Sequence, residues 1–550
     1  MKKSLLIACL AILAFIAITM PSYAAVQNIK LSGDLLMRGI SRWQFDFVGD
    51  KTDDGATVMA GAGAWNENGQ NYFMTTARVR LDADLTDNVS ATVRVLNERK
   101  WGNKGTDSNH ANGNPGYKAG SGIDTNDDNV RIDLAYATLK EFLYAPLTLT
   151  IGRQRMQFGN GMIVGDWDTN LAATTGYATA PNPSTVAQAG GPQGAVMNRW
   201  GNFGYYNPAP DLSEDKSFDA IRATINLDPL TMDLLYAKLD EQDPALADDL
   251  DLWGLNTGYK FDLPIPFFSE IYYFGKYRGK DYVNDDTGVL SAAAGATREI
   301  NKNDQVHTLG ARVSLDPAEN LNVQFELAGQ VGRYNPRLDP NDSGASTVNG
   351  VARAAWATEL SVNYDIPKWK FNPKFMGSYA FFSGDPKAAN RDPSIAPVAG
   401  NAASSTSGAE TYNGWDPMFE NQTFGHIANA LFKQTNMHIW MLKSSFTPLQ
   451  DINVDLGYSY YRLNRGFNQG DRVILNGLFG GRAYFMNAHD HLGQELDANI
   501  TYDYTEDVQF GLLGGLFFPG NAFMESGNGG QFLTNHKTAS EVIGSMKVTF

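Results

Sequence analysis

The sequence predicts an all-β fold, a transmembrane antiparallel β-barrel of about eighteen strands, from three observations. Segments of about ten residues recur in which apolar and polar side chains alternate, as in a strand with one face in lipid and the other in a wet lumen. Short and long connections alternate between these segments along the whole chain. Beyond residue 24, no stretch reaches the roughly 18 consecutive apolar residues of a membrane helix.

Eighteen segments carry this alternation, and sixteen strands is the alternative count. In the second segment, Leu81 and Ala83 oppose the charged residues Arg80 and Asp82. Charges on the face opposite the apolar one are typical of a water-filled lumen and not of a packed sandwich core. The predicted strands are 29–38, 71–85, 89–98, 130–140, 147–156, 217–227, 230–239, 250–261, 268–279, 306–315, 321–333, 352–366, 371–382, 435–446, 452–465, 492–504, 508–518 and 540–550.

The connections are an independent indication of the fold. A barrel of the bacterial outer membrane has tight turns on its periplasmic side and long loops outside. The longest predicted loops are 39–70, 99–129, 157–216 and 383–434. We expect 157–216 and 383–434 to fold into the barrel mouth, with Asp166-Trp167-Asp168 and Arg199-Trp200 as the inward segments; loops without structure of their own are the alternative.

Both ends of the chain favour export. Residues 1–24 have the basic start, apolar run and small-residue cleavage site of a secretory signal. Cleavage after Ala24 leaves residues 25–550 as a single outer-membrane barrel domain and removes Cys9, the only cysteine. The last segment alternates up to Phe550, and this end resembles the signal by which outer-membrane barrels are received for insertion.

Composition agrees with a barrel and excludes other classes. The mean hydropathy of −0.31 is too polar for a helical membrane protein, whereas a barrel needs apolar residues only at alternate positions. A formal net charge of −16 argues against a nucleic-acid partner. Aromatic residues near strand ends, including Tyr272, Phe517 and Phe518, are predicted to form girdles at the membrane interfaces.

Three groups of short motifs follow one another along the chain. They are Ile151-Gly152-Arg153-Gln154 with Phe158-Gly159, Val164-Gly165-Asp166-Trp167-Asp168 and Ser217-Phe218-Asp219-Ala220; Ser383-Gly384-Asp385 with Thr423-Phe424; and Leu492-Gly493-Gln494-Glu495-Leu496-Asp497 with Phe517-Phe518-Pro519-Gly520. Their order and spacing resemble the alginate-export family of outer-membrane β-barrel porins. The resemblance spans most of the chain after the signal. It implies an eighteen-stranded monomeric channel, and the family includes an exporter of the anionic polysaccharide alginate with an arginine-rich constriction.

Charged side chains with inward parity are the candidates for lining or narrowing the pore. They are Arg78, Arg80, Asp82, Arg94, Arg131, Asp133, Arg153, Arg155, Asp219, Arg222, Arg312, Arg353, Glu359, Lys374, Glu495 and Asp497. Arginine can hold a carboxylate through two parallel hydrogen bonds, so neighbouring arginines would form a positive patch; ion pairs that stiffen the wall are the alternative. Arg153 and Arg155 share the parity of apolar Ile151, so they are expected either to lie beyond the apolar band at the strand end or to be turned inward by a bulge near Gly152.

Other chemistry has little support in the sequence. No arrangement of Ser, His and Asp indicates a catalytic set, and the chain is predicted not to be an enzyme. No metal site or other cofactor is predicted. The acidic runs at 124–129 and 248–251 are rich in oxygen ligands for Ca²⁺, with solvated loop acids as the alternative.

The sequence therefore predicts an integral outer-membrane porin for passive passage of hydrophilic, including anionic saccharide-like, solutes. A dedicated exporter of an acidic, alginate-like polysaccharide is one alternative, and a plugged structural or partner-binding barrel is another. The expected partners are outer-membrane lipid, lipopolysaccharide and a small solute or saccharide, with no nucleic acid. The family implies a monomer, whereas many general porins are trimers.

Overall fold

The structure is a computed structural model with side chains. It describes residues 28–45, 47, 69–101, 130–165, 211–212, 217–240, 249–279, 282–284, 297–299, 304–334, 351–385, 411–421, 423–467, 472–474, 483–523 and 537–550. The predicted signal peptide and part of every long loop lie outside these ranges.

Eighteen strands form one sheet in which neighbouring strands are antiparallel. The first nine are β1 (Asn28–Trp43), β2 (Gly69–Thr86), β3 (Val89–Lys100), β4 (Arg131–Leu139), β5 (Leu147–Gln154), β6 (Phe218–Asn226), β7 (Leu230–Asp240), β8 (Leu250–Phe261) and β9 (Phe267–Arg278). The other nine are β10 (Asp304–Ala318), β11 (Leu321–Tyr334), β12 (Val351–Asp365), β13 (Lys374–Phe382), β14 (Met437–Leu449), β15 (Ile452–Leu463), β16 (His491–Asp503), β17 (Val508–Pro519) and β18 (Ala539–Thr549). β18 pairs with β1 and closes the barrel. The count of eighteen is confirmed, and the alternative of sixteen is wrong.

Successive side chains of each strand point alternately to the outside and to the lumen. Leu234 is 61 % exposed on the outer wall, whereas its neighbour Leu235 is 2 % exposed inside; Leu309 and Thr308 show the same contrast, 64 % against 0 %. Large apolar residues are exposed on the outer wall of strands all round the barrel. An apolar outer belt around a polar inner face is the surface that a barrel presents to lipid. The chain is therefore an integral outer-membrane β-barrel.

Local geometry corrects some of the predicted boundaries and orientations. β1 continues to Trp43 rather than ending at residue 38. Tyr272 and Phe517, predicted as girdle residues, are 2 % and 0 % exposed and point into the barrel. That part of the girdle prediction is wrong, because both residues have the inward parity of their strands. Phe518, 40 % exposed, lies on the outer wall.

A single bulge decides where the charged residues of β4 point. Two consecutive residues of β3 pair with Leu134 and Ile132, so Asp133 is the extra residue of a bulge. Strand β5 keeps its register with both neighbours through Gly152. The bulge predicted near Gly152 is therefore wrong. The glycine is needed for another reason: its φ is +119°, and a Cβ would overlap the backbone of β4.

The largest apolar core lies inside the barrel. Residues 155–165 after β5 and residues from 411 onwards before β14 pack against apolar inward residues of the wall, such as Ala237 and Leu252. The second segment contains a short helix, α1 (His426–Leu431). Two hairpins, Tyr282–Asn284 with Thr297–Glu299 and Arg472–Ile474 with Ala483–Phe485, lie in other loops. No helix in the described ranges is long and apolar enough to cross a membrane.

Candidate functional site: a lumen narrowed by two loops

Two loop segments meet inside the barrel and are here called the inner loops: residues 155–165, and residues 411–421 with 423–434. Val164 and Phe419 form a parallel β-bridge between them. Gly165 N donates to Phe419 O at 2.8 Å, and Phe419 N donates to Ile163 O at 2.9 Å. Phe419 is completely buried. The two segments are therefore joined by backbone hydrogen bonds and an apolar contact, and they narrow the lumen as one unit.

Asp416 fastens the second inner loop to β9 and β11. Its carboxylate accepts a hydrogen bond from Lys276 Nζ at 2.7 Å. Its backbone N–H donates to Gln330 Oε1 at 2.9 Å, and its carbonyl accepts from Gln330 Nε2 at 2.7 Å. Burial acts to raise the pKa of Asp416, but the nearby cations Lys276 and Arg353 outweigh it and hold this pKa well below its usual range. The carboxylate therefore stays ionised and anchors the loop.

Glu495, a predicted pore residue on β16, anchors the first turn of α1. It accepts hydrogen bonds from Ile427 N at 2.7 Å and Ala428 N at 2.9 Å. The Tyr461 hydroxyl lies 3.2 Å from the same carboxylate. The first N–H groups of a helix have no intrahelical acceptor, so a fully buried carboxylate at this place satisfies two of them.

Replacing Glu495 with alanine is expected to loosen α1 and leave the strands intact. Each buried N–H that loses its acceptor costs about 1–3 kcal/mol. Hydrogen exchange should therefore become faster at the amides of Ile427 and Ala428 while exchange in β14 stays unchanged. Unaltered exchange at both helix amides would show that the Glu495 carboxylate does not hold the helix.

The first inner loop passes over the lumen wall beside Glu326. The Phe158 ring lies 5.2 Å below the guanidinium of Arg222, a cation–π contact. The Tyr272 hydroxyl donates to Glu326 at 2.6 Å. At Gly159, with φ of +58°, a Cβ would lie 3.2 Å from the Glu326 carboxylate. The approach of the loop to this wall is therefore close enough to favour glycine.

Inward arginines predicted to form a positive patch are paired with carboxylates. The pairs, with one distance for each, are Arg78–Asp34 (2.8 Å), Arg80–Asp82 (2.7 Å), Arg94–Asp133 (2.8 Å), Arg131–Glu98 (2.5 Å), Arg222–Asp233 (2.8 Å), Arg312–Glu270 (2.7 Å) and Arg353–Asp304 (3.5 Å). Most of these contacts are at hydrogen-bond distance and charge-assisted. Each guanidinium thus has its charge offset locally, as in the ion-pair alternative.

The remaining inward candidates differ in their surroundings. Lys374 lies 3.8 Å from Asp365, and both side chains are open to the lumen. Glu359 has the inward parity of β12 and is half-buried. Its side chain forms no ion pair or hydrogen bond with any residue that the structure describes. Asp497 follows Glu495 on the inward face of β16 and accepts a hydrogen bond from the backbone of His426.

Arg153 and Asp219 do not line the lumen. They form an ion pair, with nitrogen–oxygen distances of 2.7 and 2.8 Å, on the outer wall. Ile151 and Ile221, which share their faces, are 43 % and 49 % exposed there. The predicted inward orientation is therefore wrong, because no bulge reverses the parity of β5. Arg155 follows the end of β5 and is exposed.

Sequence reasoning missed a buried ion cluster at the seam of the barrel. Arg42 on β1 contacts Asp211, from the loop after β5, and Glu541 on β18. All three side chains are at most 4 % exposed. The predicted end of β1 at residue 38 had left Arg42 in a loop. The alternation gave no clear signal here, because apolar Ile40 shares the inward face of Arg38 and Arg42.

The acidic loop runs give no evidence of a metal site. Residues 124–129 and 248 lie outside the described ranges. Asp249 and Asp251 contact Lys238, at 2.9 and 3.4 Å. Within the described part of the chain, no group of three or more acidic, histidine or cysteine residues could hold a metal ion.

Comparison with protein families gives a match that contains half of the barrel strands. The model of the alginate export family matches residues 270–530. This region contains the second inner loop and nine of the barrel strands, β10–β17 in full and β9 in most of its length. No curated protein matches the chain.

Several solved structures are similar at low identity. OpdQ of Pseudomonas aeruginosa is 10 % identical with a TM-score of 0.43, and the match covers 96 % of this chain and 98 % of that one. OccK2 (OpdF) of Pseudomonas aeruginosa, solved in complex with glucuronate, is 11 % identical with a TM-score of 0.46 and coverages of 96 % and 99 %. A BenF-like porin from Pseudomonas fluorescens Pf-5 is 8 % identical with a TM-score of 0.43 and coverages of 96 % and 100 %.

Proposed function

We propose that this chain, whose residues 270–530 match the model of the alginate export family, is an outer-membrane porin for hydrophilic solutes. The observation that carries the proposal is a closed barrel whose inner face carries many charged and polar side chains and whose lumen is narrowed, on the side of the long loops, by the two inner loops. Near the periplasmic turns, inward residues such as Lys374 are open to water. Solutes would move down their concentration gradients, without nucleotide or catalysis.

The wall chemistry favours saccharide-like solutes. Paired arginines and carboxylates offer donors and acceptors side by side, which suits hydroxyl groups without requiring the ion pairs to separate. An anionic saccharide would compete with the resident carboxylates, such as Asp82 for Arg80. Uncharged saccharides are therefore the preferred solutes in this proposal. The proposed partners are this solute, membrane lipid and lipopolysaccharide, with the barrel acting as a monomer.

A dedicated exporter of an acidic polysaccharide is the second candidate, and the family match is what favours it. A polyuronate would need a row of guanidinium groups free to bind carboxylates. In the described lumen, wall arginines such as Arg78, Arg94 and Arg312 already bind carboxylates of the barrel itself. The exporter therefore has less support than the porin.

Liposome swelling tests the proposal. Refolded protein should make liposomes swell in an isosmotic solution of glucose, and more slowly in glucuronate of the same osmolarity, because the anion meets paired arginines and unpaired acids. Protein-free liposomes are the control. A correctly folded barrel that admits neither solute would contradict the porin and favour a structural or partner-binding barrel. Faster entry of glucuronate would favour the exporter.

A further inference from the structure

We propose that the lumen prefers cations to anions, with Glu359 and Lys443 as residues that set this preference in opposite directions. The inference rests on the proposed channel function and names its charge selectivity. Three features of the described lumen support it: neutralised arginines, a row of opposed carboxylates on β9–β12, and a lysine among acids on β14.

The first feature is that arginines on the wall of β1–β6 are paired with buried carboxylates. The carboxylate partners of Arg94 and Arg131 are each 1 % exposed. A permeating anion therefore cannot take the place of these carboxylates without breaking a buried pair, which is strongly destabilising. Arginines arranged in this way stabilise the wall and contribute little net positive potential to the lumen.

The second feature is a row of four charged residues at one level of the wall. Glu270 on β9 is directly opposite Arg312 on β10, Arg312 is opposite Glu326 on β11, and Glu326 is opposite Glu359 on β12. Arg312 gives its hydrogen bonds to Glu270 at 2.7 Å and Gln324 at 2.9 Å. Glu326 is held by the neutral Tyr272 hydroxyl at 2.6 Å. The row therefore carries three carboxylates for one guanidinium.

Directly opposed like charges in a sheet are unfavourable, and a nearby cation relieves the repulsion. Glu326 lies under the first inner loop, where Gly159 approaches its carboxylate, and Glu359 is directly opposite Glu326 on the neighbouring strand. The opposed carboxylates are thus at the level where the inner loops narrow the lumen. Negative charge placed at a narrow level acts on permeating ions more strongly than the same charge at a wide mouth.

The third feature lies farther round the barrel, on β14–β16. Lys443 on β14 and Asp497 on β16 reach toward each other over Gly457 of β15, where a Cβ would lie 4.0 Å from Lys443 Cγ and 3.5 Å from Asp497 Cβ. The carboxylates of Asp455 and Glu359 also attract the Lys443 ammonium electrostatically. The only hydrogen bond of its ammonium to a described residue is to the Thr423 carbonyl, at 3.4 Å. One lysine thus faces several acids, and the net charge of this wall is negative.

The two walls together predict the selectivity. Rings and rows of carboxylates favour cations in channels, whereas free arginine and lysine favour anions. Five arginines of β2–β6 have their charge offset by paired carboxylates: Arg78, Arg80, Arg94, Arg131 and Arg222. The wall of β9–β16 has more carboxylates than basic side chains. The potential in the lumen is therefore negative, and small cations should permeate more readily than small anions.

Reversal potentials of single channels test this inference. Wild-type protein is reconstituted in a planar bilayer between two unequal KCl solutions, in a buffer above neutral pH. The expected sign of the reversal potential is that of a preference for K⁺ over Cl⁻. Glu359→Gln should lower the permeability ratio of K⁺ to Cl⁻ by about twofold, and Lys443→Gln should raise it by a similar factor. The opposite signs separate a charge effect from a general disturbance of the barrel.

Glu506→Gln is the matched control, because it removes the same charge from an exposed periplasmic turn. Its permeability ratio should stay close to that of the wild type. Channels that prefer Cl⁻, or ratios that do not respond to Glu359→Gln and Lys443→Gln, would overturn the inference while leaving the channel function intact. A folded barrel that passes no current would instead overturn the proposed function on which the inference rests.

Discussion

Replacing Asp416 with alanine is expected to raise the single-channel conductance, because it releases the second inner loop from the wall. The substitution leaves Lys276 without its hydrogen-bonded partner and removes a negative charge beside Arg353. Removing one member of a buried ion pair costs about 3–5 kcal/mol, and here the cost falls on the docked position of the loop. The loop should therefore leave its place for a larger fraction of the time, which widens the lumen and makes the current noisier.

Asp365→Ala is the control for this prediction. It also removes an inward aspartate paired with a basic residue, but its partner Lys374 is 3.8 Å away and both side chains are open to water. Exposed pairs contribute little to stability, so conductance and noise should remain close to the wild type. If Asp416→Ala and Asp365→Ala had the same conductance, the inner loop would not be held by Asp416.

Replacing Arg42 with methionine is expected to destabilise the whole barrel. Arg42 lies between the carboxylates of Asp211 and Glu541 at the seam of β1 and β18, and its side chain is 1 % exposed. Methionine leaves two buried carboxylates next to each other with no cation between them. The free energy of unfolding should fall by about 3–5 kcal/mol. Urea unfolding of the refolded protein, followed by tryptophan fluorescence, measures the change.

Arg462→Met makes the same substitution at an exposed pair. Arg462 and Asp490 are 52 % and 46 % exposed at the outer rim. Solvent screens such a pair, and the unfolding midpoint should therefore move little. An equal loss of stability in both variants would mean that Arg42 acts only as a bulky side chain and not as the cation of a buried cluster.

The strands could be predicted because the environment of a barrel imposes a strict period on the sequence. Each strand has lipid on one side and water on the other, so the alternation of Leu81 and Ala83 with Arg80 and Asp82 leaves little choice of fold. The count of strands and the alternation of short and long connections follow from the same constraint. Strand ends were less well defined, as at Trp43, because the pattern weakens at the membrane surface.

The orientation of single charges was harder to predict, because one extra residue reverses parity. Asp219 and Arg222 were both expected in the lumen although they lie three residues apart, which places them on opposite faces of a regular strand. Only Arg222 points inward. The bulge expected near Gly152 lies instead at Asp133 of the neighbouring strand. Nothing in the local sequence separates the two positions, because the bulge is set by pairing between strands.

Ion pairs between strands also cannot be predicted from the pattern of residues along the chain. Arg94 and Asp133 are partners because β3 and β4 are neighbours with a defined register. The inner loops show the same limit, since the contact of Val164 with Phe419 joins segments that are far apart in sequence. The predicted loops that contain them, 157–216 and 383–434, are rich in Gly, Ala, Asn, Pro and Ser over their whole length, and this composition gave no sign of a packed core. The acidic excess was visible in the net charge, but its distribution between paired and unpaired groups required the structure.

The most direct test of the central claim is the single-channel current of the wild-type protein in a planar bilayer. A lumen narrowed but not sealed by the inner loops should give discrete current steps that stay open without any added partner. The account therefore predicts stable steps whose conductance increases in the Asp416→Ala variant. A correctly folded eighteen-stranded barrel that remains electrically silent would contradict it.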